Sequence, residues 1–302
     1  MAKYVYISSD WDDGWYVDQT AVAWLSVRKI DPTARCVVLT DAKTAEMAPK
    51  SIQRLQSTGA TVQIESTDLP TAVATSRFLK TGVVGLVEPP FWTLDSDTLM
   101  LRPLGEVRLD QGQAIAAVHD RNHKSGDLIR PEDALSAIDR TSFDQMPRHY
   151  YNSGVIYWSS NSMATEIGNR WHHDWMAQYQ ATGEHRDQYT FNLCLADMND
   201  PVCLLDPTFN SLAINQDNFR VDTKILHFYA SLAKRSSRSV MNALTETFRQ
   251  TGKLDDSILL TATKSHLVWA SGVRWELARR NWRGLAKELQ RKYLQSTAAT
   301  SN

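Results

Sequence analysis

Short apolar runs alternate along the first part of the chain with segments whose apolar residues recur at helical spacing. Alternating or continuous apolar residues at 3–8, 35–40 and 61–64 predict three strands. Apolar residues three and four apart predict helices over 21–28 and 45–57, between those strands. Strands that alternate with helices are typical of a mainly parallel sheet covered on both faces. The pattern therefore predicts an α/β fold, whose ligands bind beyond the carboxyl ends of the strands.

The same alternation continues further along the chain. A helix is predicted over 75–81, another from Asn161 or Ser162, and a third from Arg186. The segment 121–149 is polar and irregular, and a connection of this length predicts a lid over the ligand-binding edge. Further apolar runs predict strands at 91–101, 113–118, 155–158, 202–205 and 224–229.

Composition places the chain among globular proteins. The 302 residues are 42% hydrophobic and 22% charged, and no apolar run reaches the roughly 18 residues of a membrane span. Residues 1–7 become polar too soon for a signal peptide. Cys36, Cys194 and Cys203 are odd in number and lack CxxC spacing, which fits a reducing compartment and argues against a structural zinc site. We therefore expect a cytoplasmic protein.

The net charge of −1 conceals a basic segment near the C-terminus. Between 274 and 293 the chain has seven basic and two acidic residues. We favour an amphipathic helix that packs on the core and leaves its basic face solvated. The alternative is a helix that contacts nucleic acid or an anionic membrane, at the inner membrane face. The apolar stripe of this helix comprises Trp275, Ala278, Trp282, Leu285, Leu289 and Tyr293.

For the chain as a whole, we expect one domain at 1–230 and a helical, basic extension at 231–302.

Two carboxylates end one of the predicted strands. Asp95 and Asp97 follow the apolar run at 91–94 and are two residues apart. Side chains two apart on an extended strand point the same way, so both carboxylates can converge on one hard cation. Burying them unpaired would be costly, which also favours a cation or a cleft at this position. The alternative is a solvated turn that carries two acidic residues.

Further polar motifs follow this pair in order along the chain. Asn152-Ser153-Gly154 is expected in a loop directly before a strand, Asp187-Gln188 lies at the start of a helix, and His227 lies on the last predicted strand. Together with Leu94-Asp95-Ser96-Asp97-Thr98-Leu99, this order resembles metal-dependent nucleotide-sugar glycosyltransferases of the GT-A fold. The resemblance is closest to the retaining galactosyl- and glucosyltransferases of glycosyltransferase family 8, and it covers roughly residues 3–230.

The resemblance implies a GT-A sheet and a UDP-sugar donor whose diphosphate is bridged by Mn²⁺ or Mg²⁺. Asp95, Asp97 and His227 would bind the metal, and Asp10 would lie near the uracil and the ribose. Arg77 would be the basic residue of the preceding helix that contacts the donor. The implied donor site comprises Ser8, Asp10, Arg77, Asp95, Ser96, Asp97, Asn152, Ser153 and Lys234.

The resemblance also implies which residues lie closest to the reacting sugar. Asp120 would bind a sugar hydroxyl, and Asp187 and Gln188 would line the sugar and stabilise an oxocarbenium-like transition state. The acceptor hydroxyl would attack on the leaving-group face, so the anomeric configuration would be retained. The acceptor itself stays open between a glycan, a lipid-linked sugar, a protein and a nucleic acid.

One segment departs from the family pattern. The family often reads HxxGxxK after the metal-binding histidine, whereas His227 is followed by Ala230 and by Lys234, which is displaced by one position. The resemblance therefore leaves two candidates for the contact to the diphosphate, Lys234 and, as the alternative, Arg235.

Two other functions fit some of the same residues. The stretch at 93–99 also matches the DxDx[TV] motif of haloacid-dehalogenase-type phosphohydrolases, in which Asp95 would be the nucleophile and Asp97 the acid and base. That motif normally lies on the first strand of its domain, and three predicted strands precede it here. A non-catalytic module that binds glycans or nucleic acid through the basic segment is the other alternative.

Overall fold

A computed structural model describes residues 1–121, 129–130, 146–213, 222–228, 239–263, 273, 277 and 282–299. The described strands are β1 (Lys3–Ile7), β2 (Arg35–Asp41), β3 (Thr61–Glu65), β4 (Phe91–Leu94), β5 (Thr98–Met100), β6 (Ile115–His119), β7 (Tyr151–Trp158), β8 (Val202–Leu204), β9 (Ser211–Leu212) and β10 (Ile225–His227). The described helices are α1 (Trp15–Ile30), α2 (Ala42–Met47), α3 (Pro49–Ser57), α4 (Ala72–Thr81), α5 (Val83–Leu86), α6 (Ser162–Thr182), α7 (Gln188–Asp197), α8 (Val240–Thr251), α9 (Asp256–Ala262) and α10 (Trp282–Ala299).

Seven of the described strands form a central sheet in the order β3-β2-β1-β4-β7-β6-β8. Strand β7 runs antiparallel to its neighbours β4 and β6, and the remaining pairs are parallel. This arrangement confirms the predicted mixed, mainly parallel sheet flanked by helices. Because β7 is reversed, its first residues lie at the edge where its two neighbours end.

A smaller sheet stands beside the end of β4. It has the order β5-β10-β9, and β10 pairs antiparallel with β5 so that His227 lies opposite Thr98. The strand predicted at 224–229 therefore belongs to this second sheet and not to the central one. The chain passes from the first sheet to the second through residues 95–97, which connect β4 to β5.

Four local predictions were wrong in detail. The single strand expected at 91–101 is two strands, β4 and β5, in different sheets. The segment 45–57 is two helices, because α2 ends at Met47 and α3 begins with Pro49 in its first turn. The helix expected from Arg186 begins at Gln188, with Asp187 in the N-cap position. Asn152-Ser153-Gly154 does not precede a strand but forms the first part of β7.

The hydrophobic core lies on both faces of the central sheet. Strand β1 shows the division, because Tyr4 and Tyr6 belong to one buried cluster and Val5 and Ile7 to the other. This alternation follows from the two-residue period of a strand and explains why strands buried on both faces read as continuous apolar runs.

The described part of the C-terminal region includes helices that pack on this core. Val240 and Phe248 of α8 are fully buried in the same cluster as α1. On α10, Trp282, Leu289 and Tyr293 are 68%, 52% and 68% exposed, so these three positions do not pack as the favoured interpretation expected.

The division of the chain at residue 230 stays a prediction. None of the described helices is both long and apolar enough to cross a membrane.

A buried carboxylate joins three helices. Asp18 of α1 is fully buried and accepts hydrogen bonds from Ser51 and from two nitrogens of Arg54, at 3.0, 2.9 and 2.7 Å. The Nε atom of Arg249 on α8 lies 3.5 Å from the same carboxylate. Removing one partner of a buried ion pair leaves the other charge poorly compensated.

We expect Asp18→Asn to lower the free energy of unfolding by about 2–3 kcal/mol, measured by urea denaturation. Asp256→Asn is the matched control, because Asp256 is an exposed partner of Lys29 and such pairs contribute at most about 1 kcal/mol. Equal losses in the two variants would contradict the role assigned to Asp18.

Candidate functional site

A cleft of about 970 Å³ lies at the carboxyl edge of the central sheet. This is the edge at which open α/β sheets bind their ligands. The predicted lid at 121–149 falls largely outside the described residues, and so does Lys234. The predicted site residues that the structure describes all line this cleft: Ser8, Asp10, Arg77, Asp95, Ser96, Asp97, Asp120, Asn152, Ser153, Asp187, Gln188 and His227.

Two aspartates and a histidine converge at the centre of the cleft. One ligand atom from each of Asp95, Asp97 and His227 can be chosen so that the three atoms lie within 4.8 Å of one another. The Nε2 atom of His227 is 3.1 Å from Asp97 Oδ1 and 3.8 Å from Asp95 Oδ2. Two carboxylates and an imidazole form a donor set that suits Mn²⁺ or a similar divalent cation.

The aspartates reach this position through a turn and not through strand alternation. β4 ends at Leu94, and the backbone N–H and the hydroxyl of Thr98 both bond the carbonyl of Asp95, at 3.2 and 2.7 Å. The turn between the two sheets therefore directs both carboxylates toward His227 on β10. The predicted convergence on one point is present, but the predicted cause was wrong.

A chain of amides orients the histidine. The Nδ2 group of Asn210 donates to Asn152 Oδ1 at 2.8 Å, which leaves its Oδ1 facing His227 Nδ1 at 2.9 Å. Nδ1 is then the donor, and Nε2 is the nitrogen directed at Asp95 and Asp97. Such outer partners fix the tautomer and the ring plane of metal-binding histidines. The residues thus fit a metal in donor type, in convergence and in supporting hydrogen bonds.

The charges of this group depend on one another. Burial opposes both charges, but their mutual attraction outweighs it, so the pKa of Asp97 is lowered and that of His227 is raised. Each group therefore favours the charged form of the other. A metal at this position would bind the neutral imidazole, so metal binding and protonation of His227 would compete.

A second buried carboxylate lies beside the first group. Asp187 is 5% exposed and contacts Lys80 Nζ at 3.3 Å, Arg77 Nε at 3.1 Å and the hydroxyl of Ser153 at 3.0 Å. Burial alone would raise the pKa of Asp187, but Lys80 and Arg77 lower it to about 2. Lys80 also lies 2.9 Å from Asp95 Oδ1, so it joins the two groups.

A third carboxylate is bound by amides. Asp120 accepts from Gln188 Nε2 at 2.7 Å and from Asn152 Nδ2 at 3.3 Å, and burial raises its pKa. The Oε1 atom of Gln188 accepts from the backbone N–H of Ser153 at 3.1 Å. The start of β7 and the start of α7 are thereby held together at the wall of the cleft.

The far end of the cleft is formed by the residues that follow β1. Asp10 accepts from the backbone N–H groups of Asp12 and Tyr16, at 3.1 and 2.9 Å, and burial raises its pKa. The hydroxyl of Ser8 is buried without a hydrogen-bond partner in the described part of the chain. Asp41, which also ends a strand, instead caps α2 and lies in a separate depression.

Comparison with known proteins identifies the architecture. No protein-family model matches the sequence, and comparison with curated proteins gives no match. Among solved structures, galactosyltransferase LgtC in complex with donor and acceptor sugar analogs matches with a TM-score of 0.57 at 16% identity, over 84% of this chain and 98% of LgtC. The chain has the GT-A fold.

Two other solved structures share this GT-A fold with the chain. An LgtC active-site mutant in which glutamate replaces a glutamine matches with a TM-score of 0.51 at 16% identity, over 75% of this chain and 86% of that one. The glycosyltransferase GlyE of Streptococcus pneumoniae TIGR4 matches with a TM-score of 0.51 at 17% identity, over 89% of this chain and 65% of GlyE. Identities this low show the shared fold alone.

Two residues that contact the predicted site residues, Lys80 and Asn210, were not included in the predicted site. Lys80 lies three residues after Arg77, and this spacing on a helix places both cations on one face. That spacing was a usable signal. Asn210, the last residue of a short 3-10 helix, had no such signal in the sequence, because asparagine is a common turn residue. The tertiary contact of β10 with β9 and with the 3-10 helix before it brings His227 near Asn210.

Gly154 is the position at which the cleft tolerates no side chain. A Cβ there would lie 2.5 Å from His227 Cε1, 2.8 Å from Asp95 Oδ2 and 2.9 Å from Asn152 Oδ1. We expect Gly154→Ala to displace these groups and to weaken Mn²⁺ binding at least about tenfold by calorimetry, with little change in helix content.

Gly85→Ala is the control for this variant, because no atom outside the local backbone lies within 4 Å of the corresponding Cβ. Unchanged Mn²⁺ affinity in the folded Gly154→Ala protein would contradict the assignment of the three ligands.

Proposed function

We propose that the chain is a metal-dependent glycosyltransferase that transfers a hexose from a UDP-sugar to an acceptor hydroxyl, with retention of configuration. The observation that carries this proposal is the convergence of Asp95, Asp97 and His227 in a cleft that also holds the buried carboxylate Asp187. In a GT-A fold, this cleft lies at the strand edge at which open α/β sheets bind ligands. We propose residues 1–230 as the catalytic domain.

The diphosphate of the donor would lie against the metal-binding group. Asp95, Asp97 and His227 would hold Mn²⁺, or Mg²⁺, and leave coordination positions open for phosphate oxygens. A bound metal acts as a Lewis acid that stabilises the negative charge of the departing diphosphate. Mn²⁺ suits the imidazole ligand better than Mg²⁺, which prefers oxygen ligands.

The sugar would lie between the metal and the wall formed by β7 and α7. Gln188 and Asn152 are held by Asp120, so their remaining polar atoms are fixed in direction. Preorganised groups of this kind stabilise a transition state without further reorganisation. Asp187, kept ionised by its two cations, would stabilise positive charge on the sugar ring.

The surroundings of Asp187 argue against one route to retention, a double displacement in which Asp187 would be the nucleophile. Its carboxylate oxygens are engaged by Lys80, Arg77 and Ser153, so its nucleophilicity is reduced. Attack by the acceptor hydroxyl on the leaving-group face requires no enzyme nucleophile. The leaving diphosphate would then accept the proton of that hydroxyl.

The named functions of the similar structures support a sugar donor and a sugar acceptor. LgtC is described as a galactosyltransferase in complex with donor and acceptor sugar analogs. An LgtC active-site mutant carries a glutamine-to-glutamate change, and Gln188 is the glutamine that lines the cleft here. The acceptor class remains a glycan, a lipid-linked sugar, a protein or a nucleic acid. The exposed Trp282 and Tyr293 on α10 are consistent with a contact to an anionic membrane or to nucleic acid.

A panel of nucleotide sugars, scored for donor hydrolysis with Mn²⁺, tests the proposed reaction. We expect turnover of one UDP-hexose, and we expect Asp97→Ala to lower kcat/KM by at least about 100-fold because the metal loses a buried ligand. Asp110→Ala, on the exposed surface, is the control and should leave turnover unchanged.

Two outcomes would contradict this proposal. Full activity of the Asp97→Ala variant would contradict the assignment of Asp97 as a metal ligand. Hydrolysis of a generic aryl phosphate that is lost in Asp95→Asn, without turnover of any nucleotide sugar, would favour the phosphohydrolase alternative.

A further inference from the structure

Lys80 occupies an unusual position for a lysine. It is 2% exposed, and it reaches from α4 into the cleft between the metal-binding group and Asp187. Its Nζ atom lies 2.9 Å from Asp95 Oδ1, 3.3 Å from Asp187 Oδ2 and 3.4 Å from Ser153 Oγ. Burying an ammonium group is costly unless it is paired, and here two carboxylates compensate it.

The three acceptors around Lys80 match its three N–H donors. The ammonium group is therefore already saturated by protein atoms, and its effect on a substrate must pass through the groups that it holds. Arg77 does not have this geometry, because its Nε atom contacts Asp187 and it is 30% exposed. Lys80 is thus the group that connects Asp95 with Asp187.

We propose that Lys80 is a positioning residue that ties the metal-binding carboxylate Asp95 to the sugar-facing carboxylate Asp187, at the expense of metal affinity. This inference rests on the proposed function. As a fixed cation beside a metal ligand, Lys80 repels a divalent cation and engages one of the two oxygens of Asp95. The same contact holds Asp187 beside the sugar in one orientation.

Removal of Lys80 should therefore change metal affinity and turnover in opposite directions. This distinguishes a positioning role from a merely structural one. Loss of the ammonium charge removes a like charge from the metal site and frees an oxygen of Asp95, so Mn²⁺ should bind more tightly. Loss of the contact to Asp187 leaves that carboxylate less well oriented, so turnover should fall. General loosening of the cleft would instead weaken metal binding and turnover together.

The test compares Lys80→Met with the wild type. Calorimetry with Mn²⁺ alone should show a Kd that is at least about threefold lower in the variant. Donor hydrolysis at saturating Mn²⁺ and donor should show a kcat that is at least about tenfold lower. Lys80→Gln, which is neutral but can still hydrogen-bond, is measured alongside in case Lys80→Met folds poorly.

Lys80→Arg and Lys29→Met serve as controls. Lys80→Arg keeps the charge, so its Mn²⁺ affinity should stay within about twofold of the wild type. Lys29→Met removes a charge from an exposed pair with Asp256 and should alter neither quantity.

Unchanged or weaker Mn²⁺ binding in the folded neutral variants would overturn the role of Lys80, and so would an unchanged kcat. A wild-type protein that neither binds Mn²⁺ nor turns over a nucleotide sugar would instead refute the proposed function. The two failures are therefore distinguishable.

Discussion

Charge compensation among buried side chains at the carboxyl edge of the sheet is the constraint on which the cleft depends. Asp97 and Asp187 are almost fully buried, and neighbouring cations help to lower the pKa of each despite this burial. His227 lies next to Asp97, and both Lys80 and Arg77 lie next to Asp187. Without these partners, burial would favour the neutral carboxylic acids, and the cleft would lose the charge of the candidate metal ligand Asp97 and that of Asp187.

The fold supplies these partners from separate parts of the chain. Lys80 comes from a helix that precedes β4, Asp97 from the turn that follows it, and His227 from a strand more than 100 residues later. The small second sheet is essential to this arrangement, because β10 pairs with β5 and places His227 opposite Thr98. The reversal of β7 completes the site, since it brings Asn152 and Ser153 to the same edge.

Sequence patterns predicted the architecture well, but they did not predict which tertiary contacts bring the site residues together. Hydrophobic periodicity predicted the order of strands and helices, and the position of Asp95 and Asp97 after an apolar run indicated a ligand-binding edge. Periodicity carries no information about which strands pair, so it could not reveal the second sheet or the turn between the two sheets. For the same reason Asn210, which orients His227 through a tertiary contact, had no signal in the sequence.

Linkage between metal and nucleotide binding is the most direct test of the central claim that Asp95, Asp97 and His227 bind a metal that holds a donor diphosphate. Calorimetry would measure the affinity of the protein for Mn²⁺ with and without saturating UDP, after correction for the Mn²⁺ that UDP binds in solution. The account predicts at least about tenfold tighter Mn²⁺ binding with UDP, and an equal gain in UDP affinity with Mn²⁺. Independent binding of the two would contradict it.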